Sequence, residues 1–120
     1  MRYADGFLIP VPKKNVQTYR RIAQQAGKIW MEYGALEYRE CAGDDIHLKP
    51  GFGVPFPRVT KLKRNETVFF SWIVYKSRAH RDRVNAKVMK DPRIAKMIEG
   101  GMPFDPGRMV YGGFKVMVDL

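Results

Sequence analysis

Cysteine and histidine are scarce in this chain of 120 residues, which contains one cysteine and two histidines. A single cysteine excludes an intrachain disulfide framework. No run of apolar residues reaches the length of a membrane span. The first residues lack the length and the small-residue cleavage pattern of a signal peptide. Together these absences lead us to expect a cytoplasmic protein.

Acidic residues are also few: 12 aspartates and glutamates stand against 22 lysines and arginines, for a formal net charge of +10. Such a balance raises the question of an acidic partner, above all nucleic acid. Proteins that bind nucleic acid usually add exposed aromatic side chains for stacking, whereas most aromatics here are explained as core. No RRM-type aromatic-basic signature is present. A solvated basic surface is therefore favoured, and a nucleic-acid or other acidic partner is the alternative.

The rest of the chain is organised around one stretch, Glu66 to Met89, ETVFFSWIVYKSRAHRDRVNAKVM. From Val68 to Tyr75 every residue except Ser71 is apolar or aromatic, so this strand should be buried on both faces. Ser77 is placed to cap a following helix. The Asp91-Pro92 pair then predicts the start of a second, short helix.

The remaining elements follow from hydrophobic periodicity and from glycine and proline signals. They are a strand over Tyr3–Val11, a helix over Asn15–Tyr33 capped by Asn15 and closed by Gly34, a strand over Leu36–Ala42, a long irregular segment over Asp44–Asn65 with a short edge strand at Val59–Leu62, and a last strand over Arg108–Val118. The order β-α-β, loop, β-α-β predicts one α+β domain over residues 1–120. This pattern is the ferredoxin-like βαββαβ sandwich with an antiparallel sheet.

In that fold both helices cover the same sheet face and leave the other face bare. A sheet that exposed Phe69 and Ile73, or else Phe70 and Trp72, would carry a larger apolar patch than monomers usually tolerate. A second copy packed face to face with two-fold symmetry is the simplest cover. We therefore expect a homodimer, in which two protomers form one α+β barrel. Gly6 should lie near Gly112 and Gly113, where an aromatic ring or a ligand could fill the space.

Several stretches together resemble a known family: DGFLIPVP, GALEYRECAGDD, FSWIVYKSRAHRDRVNAKVMKDPR and MPFDPGRMVYGGF. They are similar to the YbaA-like family of small bacterial proteins of unknown function, and the resemblance covers nearly the whole chain. It implies membership of the dimeric α+β-barrel superfamily. That superfamily includes cofactor-free monooxygenases, muconolactone-isomerase-like enzymes and haem enzymes. Because the family has no established activity, the resemblance assigns no catalytic residue.

His80 is the candidate for catalysis, since it shares a helical face with Val84 and Val88 near the end of the central strand. A neutral imidazole there could act as a general base at a barrel mouth. The favoured interpretation is structural, with the ring hydrogen-bonded to the backbone or to a carboxylate.

Polar side chains in or beside the strands are the candidates for a ligand-binding pocket. Buried charges need partners, so an ion pair across the sheet and a ligand-orienting cluster are both open interpretations. The pocket candidates are Asp5, Tyr38, Glu40, Ser71, Trp72, Tyr111 and Arg108.

No metal site or cofactor is expected. Asp44, Asp45 and His47 could supply ligands, but three residues on one loop with no matching cluster elsewhere are more typical of a solvated turn. Cys41 is interpreted as a small buried hydrophobe.

The sequence leaves the reaction and the ligand undetermined, and it does not decide whether the protein is an enzyme. A small-molecule site between sheet and helices, in an isomerase- or monooxygenase-like enzyme without a metal, is the leading hypothesis. Binding of nucleic acid or another acidic partner is the second, and a purely structural role is the third.

Overall fold

The computed structural model describes residues 1–49 and 51–120, and its sheet contains four antiparallel strands. The strands are β1 (Tyr3–Pro12), β2 (Glu37–Ala42), β3 (Glu66–Tyr75) and β4 (Val110–Lys115). The α-helices are α1 (Val16–Glu32), α2 (Phe56–Val59), α3 (Arg78–Met89) and α4 (Pro92–Glu99), and 3-10 turns occupy Lys13–Asn15 and Pro106–Arg108. The spatial strand order β2-β3-β1-β4 is that of the ferredoxin-like sandwich. The predicted fold class is confirmed.

Two of the helix starts follow directly from the capping residues. The Ser77 hydroxyl accepts the backbone N–H of His80 at 3.1 Å, and α3 begins at the next residue after this serine. The Asp91 carboxylate accepts the backbone N–H of Arg93 at 2.8 Å, with Pro92 as the first residue of α4. Each side chain satisfies an N–H that the first helical turn would leave unpaired.

Helix α1 ends where Gly34 adopts a φ of 112°, a left-handed conformation that glycine reaches without a Cβ clash. Its other end differs from the expectation, because the Asn15 side chain makes no capping bond. Its amide instead donates to the carbonyl of Pro103 at 3.0 Å and ties the start of α1 to the loop before β4.

Alternation along β3 divides its side chains between two environments. Phe69, Ile73 and Tyr75 face the helices and are 5%, 4% and 0% exposed. On the other face, which we call the open face, Phe70 is 45% exposed. Most of the core consequently lies between the sheet and the helices, in two clusters that include Ile73 with Val84 and Ile9 with Phe69, although Val68 on the open face is also buried.

The first and last strands bring the predicted glycines together, since Gly6 lies directly opposite Gly112. A Cβ on Gly6 would stand 3.6 Å from the Phe114 ring, so an aromatic side chain occupies this space on the open face. The structure thus favours the packing interpretation of these glycines.

Two boundary predictions are wrong. Val59–Leu62 is not an edge strand: Phe56–Val59 forms one helical turn, and the Thr60 hydroxyl donates to the Phe56 carbonyl at 2.8 Å. The last strand ends at Lys115 rather than at Val118, and it begins two residues later than Arg108. β-branched residues indicated a strand in the first case, but the prolines at 55 and 57 favour the start of a helix.

Candidate functional site

A cavity of about 700 Å³ lies between the helix-facing side of the sheet and the layer formed by α1, α3, α4 and the loop before β4. This volume is in the usual range for sites that bind small molecules. Most of the wall is apolar, with Phe7, Ile9, Ile94, Met97 and Phe104 among the lining residues.

The strand register explains which polar side chains reach the cavity. Glu40 lies opposite Ser71, which in turn lies opposite Phe7, and Phe7 lies opposite Tyr111. Residues directly opposite one another in an antiparallel sheet point to the same face. A row across all four strands is therefore aimed at the helices, and only Tyr111, on the outer strand, is mostly exposed.

Glu40 is the first polar centre of the cavity. The Tyr19 hydroxyl donates to its Oε1 at 2.8 Å, and the Tyr38 hydroxyl donates to its Oε2 at 3.0 Å. In the described chain no lysine or arginine forms an ion pair with this carboxylate. Burial raises the pKa of Glu40 above its ordinary value, and the tyrosine hydrogen bonds offset only part of that rise.

The two tyrosines that hold Glu40 remain neutral donors. Burial and the neighbouring carboxylate raise the pKa of both Tyr19 and Tyr38 well above the ordinary tyrosine value. Each hydroxyl therefore keeps its proton across the physiological pH range. The cluster consists of one carboxyl group and two O–H donors in an apolar setting.

Asp5 is the second polar centre, on β1, and it is paired. Arg81 Nη1 lies 3.3 Å from Asp5 Oδ1, and the Asn85 amide lies 3.5 Å from Oδ2. The Asn85 oxygen accepts the indole N–H of Trp30 at 3.0 Å and the hydroxyl of Tyr75 at 3.1 Å. Burial raises the pKa of Asp5, while the Arg81 guanidinium lowers it in part. Hydrogen bonds among these side chains stiffen this end of the cavity, although Arg81 Nε is buried without a hydrogen-bond partner in the described chain.

Five of the eight candidate site residues bring their side chains to this cavity. They are Asp5, Tyr38, Glu40, Ser71 and Tyr111. The sequence placed them in or beside strands, and the register places them on one face.

Trp72 contributes to the wall only from its backbone side, because its side chain lies on the open face, where its indole N–H donates to Glu37 Oε1 at 2.8 Å. Arg108 lies beside the start of β3, where it is bound to Glu66 and to the carbonyl of Lys61 at 3.1 Å. It thereby joins the start of β4 to the loop before β3. These contacts match the interpretation of Arg108 as part of an ion pair rather than of a ligand-binding cluster.

His80 lies outside the cavity, at the start of α3. Its Nδ1 accepts the backbone N–H of Lys76 at 3.0 Å, and its ring packs edge-on against Tyr75. Burial and nearby cations lower its pKa, which favours the neutral ring. This geometry matches the structural interpretation of His80 rather than the catalytic one.

Sequence reasoning missed four residues of the site: Tyr19, Trp30, Arg81 and Asn85. A signal for two of them is present in α3, because Arg81, Val84, Asn85 and Val88 have the i, i+3, i+4, i+7 spacing of one helical face. Tyr19 and Trp30 carry no such signal, since aromatic residues at helical spacing indicate only a face buried in the core.

The loop after β2 carries the residues considered as metal ligands. Asp44, Asp45 and His47 are exposed, and within residues 1–49 and 51–120 no group of three or more potential ligands is found. Cys41 is exposed on the open face, so its interpretation as a buried hydrophobe is wrong. The described part of the chain contains no helix long and apolar enough to cross a bilayer.

Comparison with known proteins gives relatives without an assigned activity. The chain is 42% identical over 119 residues to the uncharacterized protein YbaA of Escherichia coli K12, and it is equally similar to that of Shigella flexneri; in both cases 99% of each chain is covered.

A solved structure, that of an uncharacterized NIPSNAP domain protein from Burkholderia xenovorans, shares the fold. Its TM-score is 0.57 at 17% sequence identity, over 95% of this chain and 93% of that one. The model of a family described as "protein of unknown function (DUF1428)" matches residues 2–106. This chain therefore belongs to the DUF1428 family, with YbaA among its relatives.

Proposed function

We propose that this protein binds a small, mostly apolar molecule in the cavity and catalyses proton transfer on it without a metal ion, as an isomerase does. The observation that carries the proposal is Glu40, a carboxyl group with a raised pKa that faces an apolar cavity and has no cationic partner in the described chain. Of the isomerase and monooxygenase classes, two of the three that the resemblance implies, isomerase is favoured because the polar groups of the cavity are acid–base groups.

The environment of Glu40 suits a general base. A carboxylate whose pKa is raised towards neutrality accepts a proton more readily than an exposed one. The surrounding apolar wall keeps water from solvating the charge and strengthens the interaction with a bound molecule. Tyr19 and Tyr38 are O–H donors that can shift from Glu40 to an oxygen on the ligand.

Asp5 is less suited to this role, although its pKa is also raised. Arg81 and Asn85 already occupy its two oxygens. We assign it the task of holding α3 against the sheet, so that the far wall of the cavity keeps its shape.

The working form is a homodimer in the cytoplasm. On the open face, Phe70, Val110 and Phe114 are 45%, 49% and 61% exposed. Glu37 and Arg39, of opposite charge, lie at the β2 edge of the same face. A second protomer related by two-fold symmetry would cover this apolar patch on both protomers in a single contact. It would also bring Glu37 and Arg39 of one protomer opposite the same pair of charges in the other.

The enzymatic proposal is tested with a cyclic β,γ-unsaturated ketone, whose conjugated isomer absorbs in the ultraviolet. The purified protein should accelerate the isomerisation, and Glu40→Gln should reduce the rate roughly 100- to 10,000-fold, the range usual for loss of a general base. Asp44→Asn, which removes an exposed carboxylate outside the cavity, is the matched control and should leave the rate unchanged. No acceleration by the wild type, or an equally active Glu40→Gln, would overturn the proposal.

A further inference from the structure

We infer that the natural ligand of the cavity carries a positively charged nitrogen, a protonated amine or quaternary ammonium group, which is held beside Glu40 among aromatic rings. The inference rests on the proposed function and names the chemical class of its substrate. It comes from the charge and the aromatic content of the cavity wall, which differ from those of the molecule as a whole.

The charge of the cavity is opposite in sign to that of the protein. The whole chain has a net charge of +10. The charged side chains that point into the cavity are two carboxylates, Asp5 and Glu40, and one guanidinium, Arg81. Arg39 also borders the cavity, but it is exposed, and the strand alternation places its side chain on the open face.

The single guanidinium is already neutralised. Arg81 lies 3.3 Å from Asp5 and 3.0 Å from Asp82, so two carboxylates share one cation at that end. An anionic ligand would meet Asp5 there and Glu40 at the other end. A cationic ligand finds at Glu40 a carboxylate that has no cationic partner in the described chain, and pairing would offset the energetic penalty of leaving that charge in an apolar setting.

The rings around Glu40 form a continuous aromatic wall. Tyr19 and Tyr38 donate hydrogen bonds to the carboxylate. The ring centroids of Trp30 and Tyr38 are 6.2 Å apart, and those of Phe104 and Tyr19 are 5.7 Å apart. All four rings line the cavity. The faces of tryptophan, tyrosine and phenylalanine attract cations, and a carboxylate combined with several rings is the arrangement that recognises ammonium groups.

A cation at this position also suits proton transfer. Its charge favours the ionised form of Glu40, which is the form that accepts a proton. The positive charge likewise acidifies a C–H group close to the nitrogen. A bound cation would thus favour both partners of the proton transfer.

The test uses three probes of similar shape: phenyltrimethylammonium, the neutral tert-butylbenzene and the anionic benzenesulfonate. Their dissociation constants are measured with the full-length protein by ligand-observed NMR. We expect the cation to bind at least ~10-fold more tightly than the neutral probe, a difference of about 1.4 kcal/mol. Glu40→Gln should remove that preference, and Asp44→Asn should retain it.

A second readout needs no variant. The affinity of wild-type protein for the cation should rise with pH as Glu40 loses its proton, while the affinity for tert-butylbenzene should stay constant. The groups that face Glu40 are Tyr19 from α1, Tyr38 from β2 and Ser71 from β3, and Arg20 is the nearby cation on the outer side of α1. The tyrosines stay protonated in this range, which leaves Glu40 as the titrating group within its own cluster.

The outcomes separate the two proposals. Equal affinity for cation and neutral probe, or tightest binding of benzenesulfonate, overturns the inference about charge and leaves the cavity as a binding site. Failure of all three probes to bind overturns the inference and the small-molecule function together. A cation preference that survives in Glu40→Gln would show that the carboxylate is not the recognition element, and it would overturn the inference as well.

Discussion

The two faces of the same four-stranded sheet differ in how far their large apolar side chains are buried. On the helix side, apolar residues are buried and the carboxylates of Asp5 and Glu40 have hydrogen-bond donors. On the open face, Phe70 and Phe114 are large, apolar and exposed, although Phe56 and Trp72 pack edge-on against the Phe70 ring. A concave, partly polar face is typical of a small-molecule site, and a flat apolar one is typical of a protein interface. We therefore propose that one sheet provides both a site and an interface, because alternate residues of each strand point to different faces.

The largest expected effect comes from two alanine substitutions on β3. Ile73→Ala, on the helix side, should lower the free energy of unfolding by roughly 2–5 kcal/mol, since it leaves a cavity in a closed core. Phe70→Ala, on the open face, should destabilise mainly through lost association, so its effect should depend on protein concentration. Urea denaturation at two protein concentrations distinguishes them. A concentration-independent effect of Phe70→Ala would argue against the interface.

A charge placed on the open face should dissociate the dimer. Phe114→Asp would put two carboxylates into an apolar contact, at a cost that a sheet-to-sheet interface does not tolerate. Sedimentation equilibrium at micromolar concentration should give a dimer of wild-type protein and a monomer of the variant. Gln25→Asp, on the exposed side of α1, serves as the control and should stay dimeric. A wild-type monomer would contradict the comparison of the two faces.

The helix side should show a pH dependence that the open face does not. Because the folded pKa of Glu40 is raised, the native state binds a proton more tightly than the unfolded state does. Stability should therefore fall as pH rises from about 4, the ordinary glutamate pKa, through the raised folded value, and should then level off. Glu40→Gln should flatten that part of the profile of melting temperature against pH. A Glu37→Gln control, on the open face, should keep the slope of the wild type.

The smallest effect is expected outside both faces, at the basic surface of the helices. We expect only nonspecific binding of single-stranded RNA, with a dissociation constant of roughly 10⁻⁴ to 10⁻⁶ M at physiological salt. Fluorescence anisotropy at low and physiological salt measures it. Nanomolar affinity that is lost in the double variant Arg83→Glu and Lys87→Glu would favour the nucleic-acid alternative instead.

Most of the fold could be predicted from local signals. Ser77 and Asp91 cap their helices as expected because a capping bond depends on only a few neighbouring residues. Asn15 fails as a cap because a distant carbonyl, that of Pro103, takes its amide. The segment at Val59–Leu62 was misread for a similar reason: its residue types suit a strand, but no neighbouring strand is there to pair with it.

The candidate site was only partly predictable. Asp5 and Glu40 could be singled out because charged residues within apolar strands need partners. Their partners could not be named, since Arg81 and Tyr19 are far from them in sequence and meet them only through packing. His80 attracted attention by its residue type, yet its bond to the backbone of Lys76 draws it away from the cavity.

The sequence alone was enough to predict the sheet, its two apolar faces and the caps of α3 and α4. The signals were the alternation along β3, the glycine and proline positions and the order of elements. Each signal depends on periodicity or on contacts within a few residues and is therefore visible in the sequence. Tertiary structure alone decided that, among the described residues, Glu40 has no cationic partner while Asp5 has one, and that four aromatic rings gather beside Glu40. Those properties arise because strand register and helix packing bring together residues that are far apart in sequence. Only in the folded protein do these neighbours determine how strongly each charge is desolvated and whether it is paired.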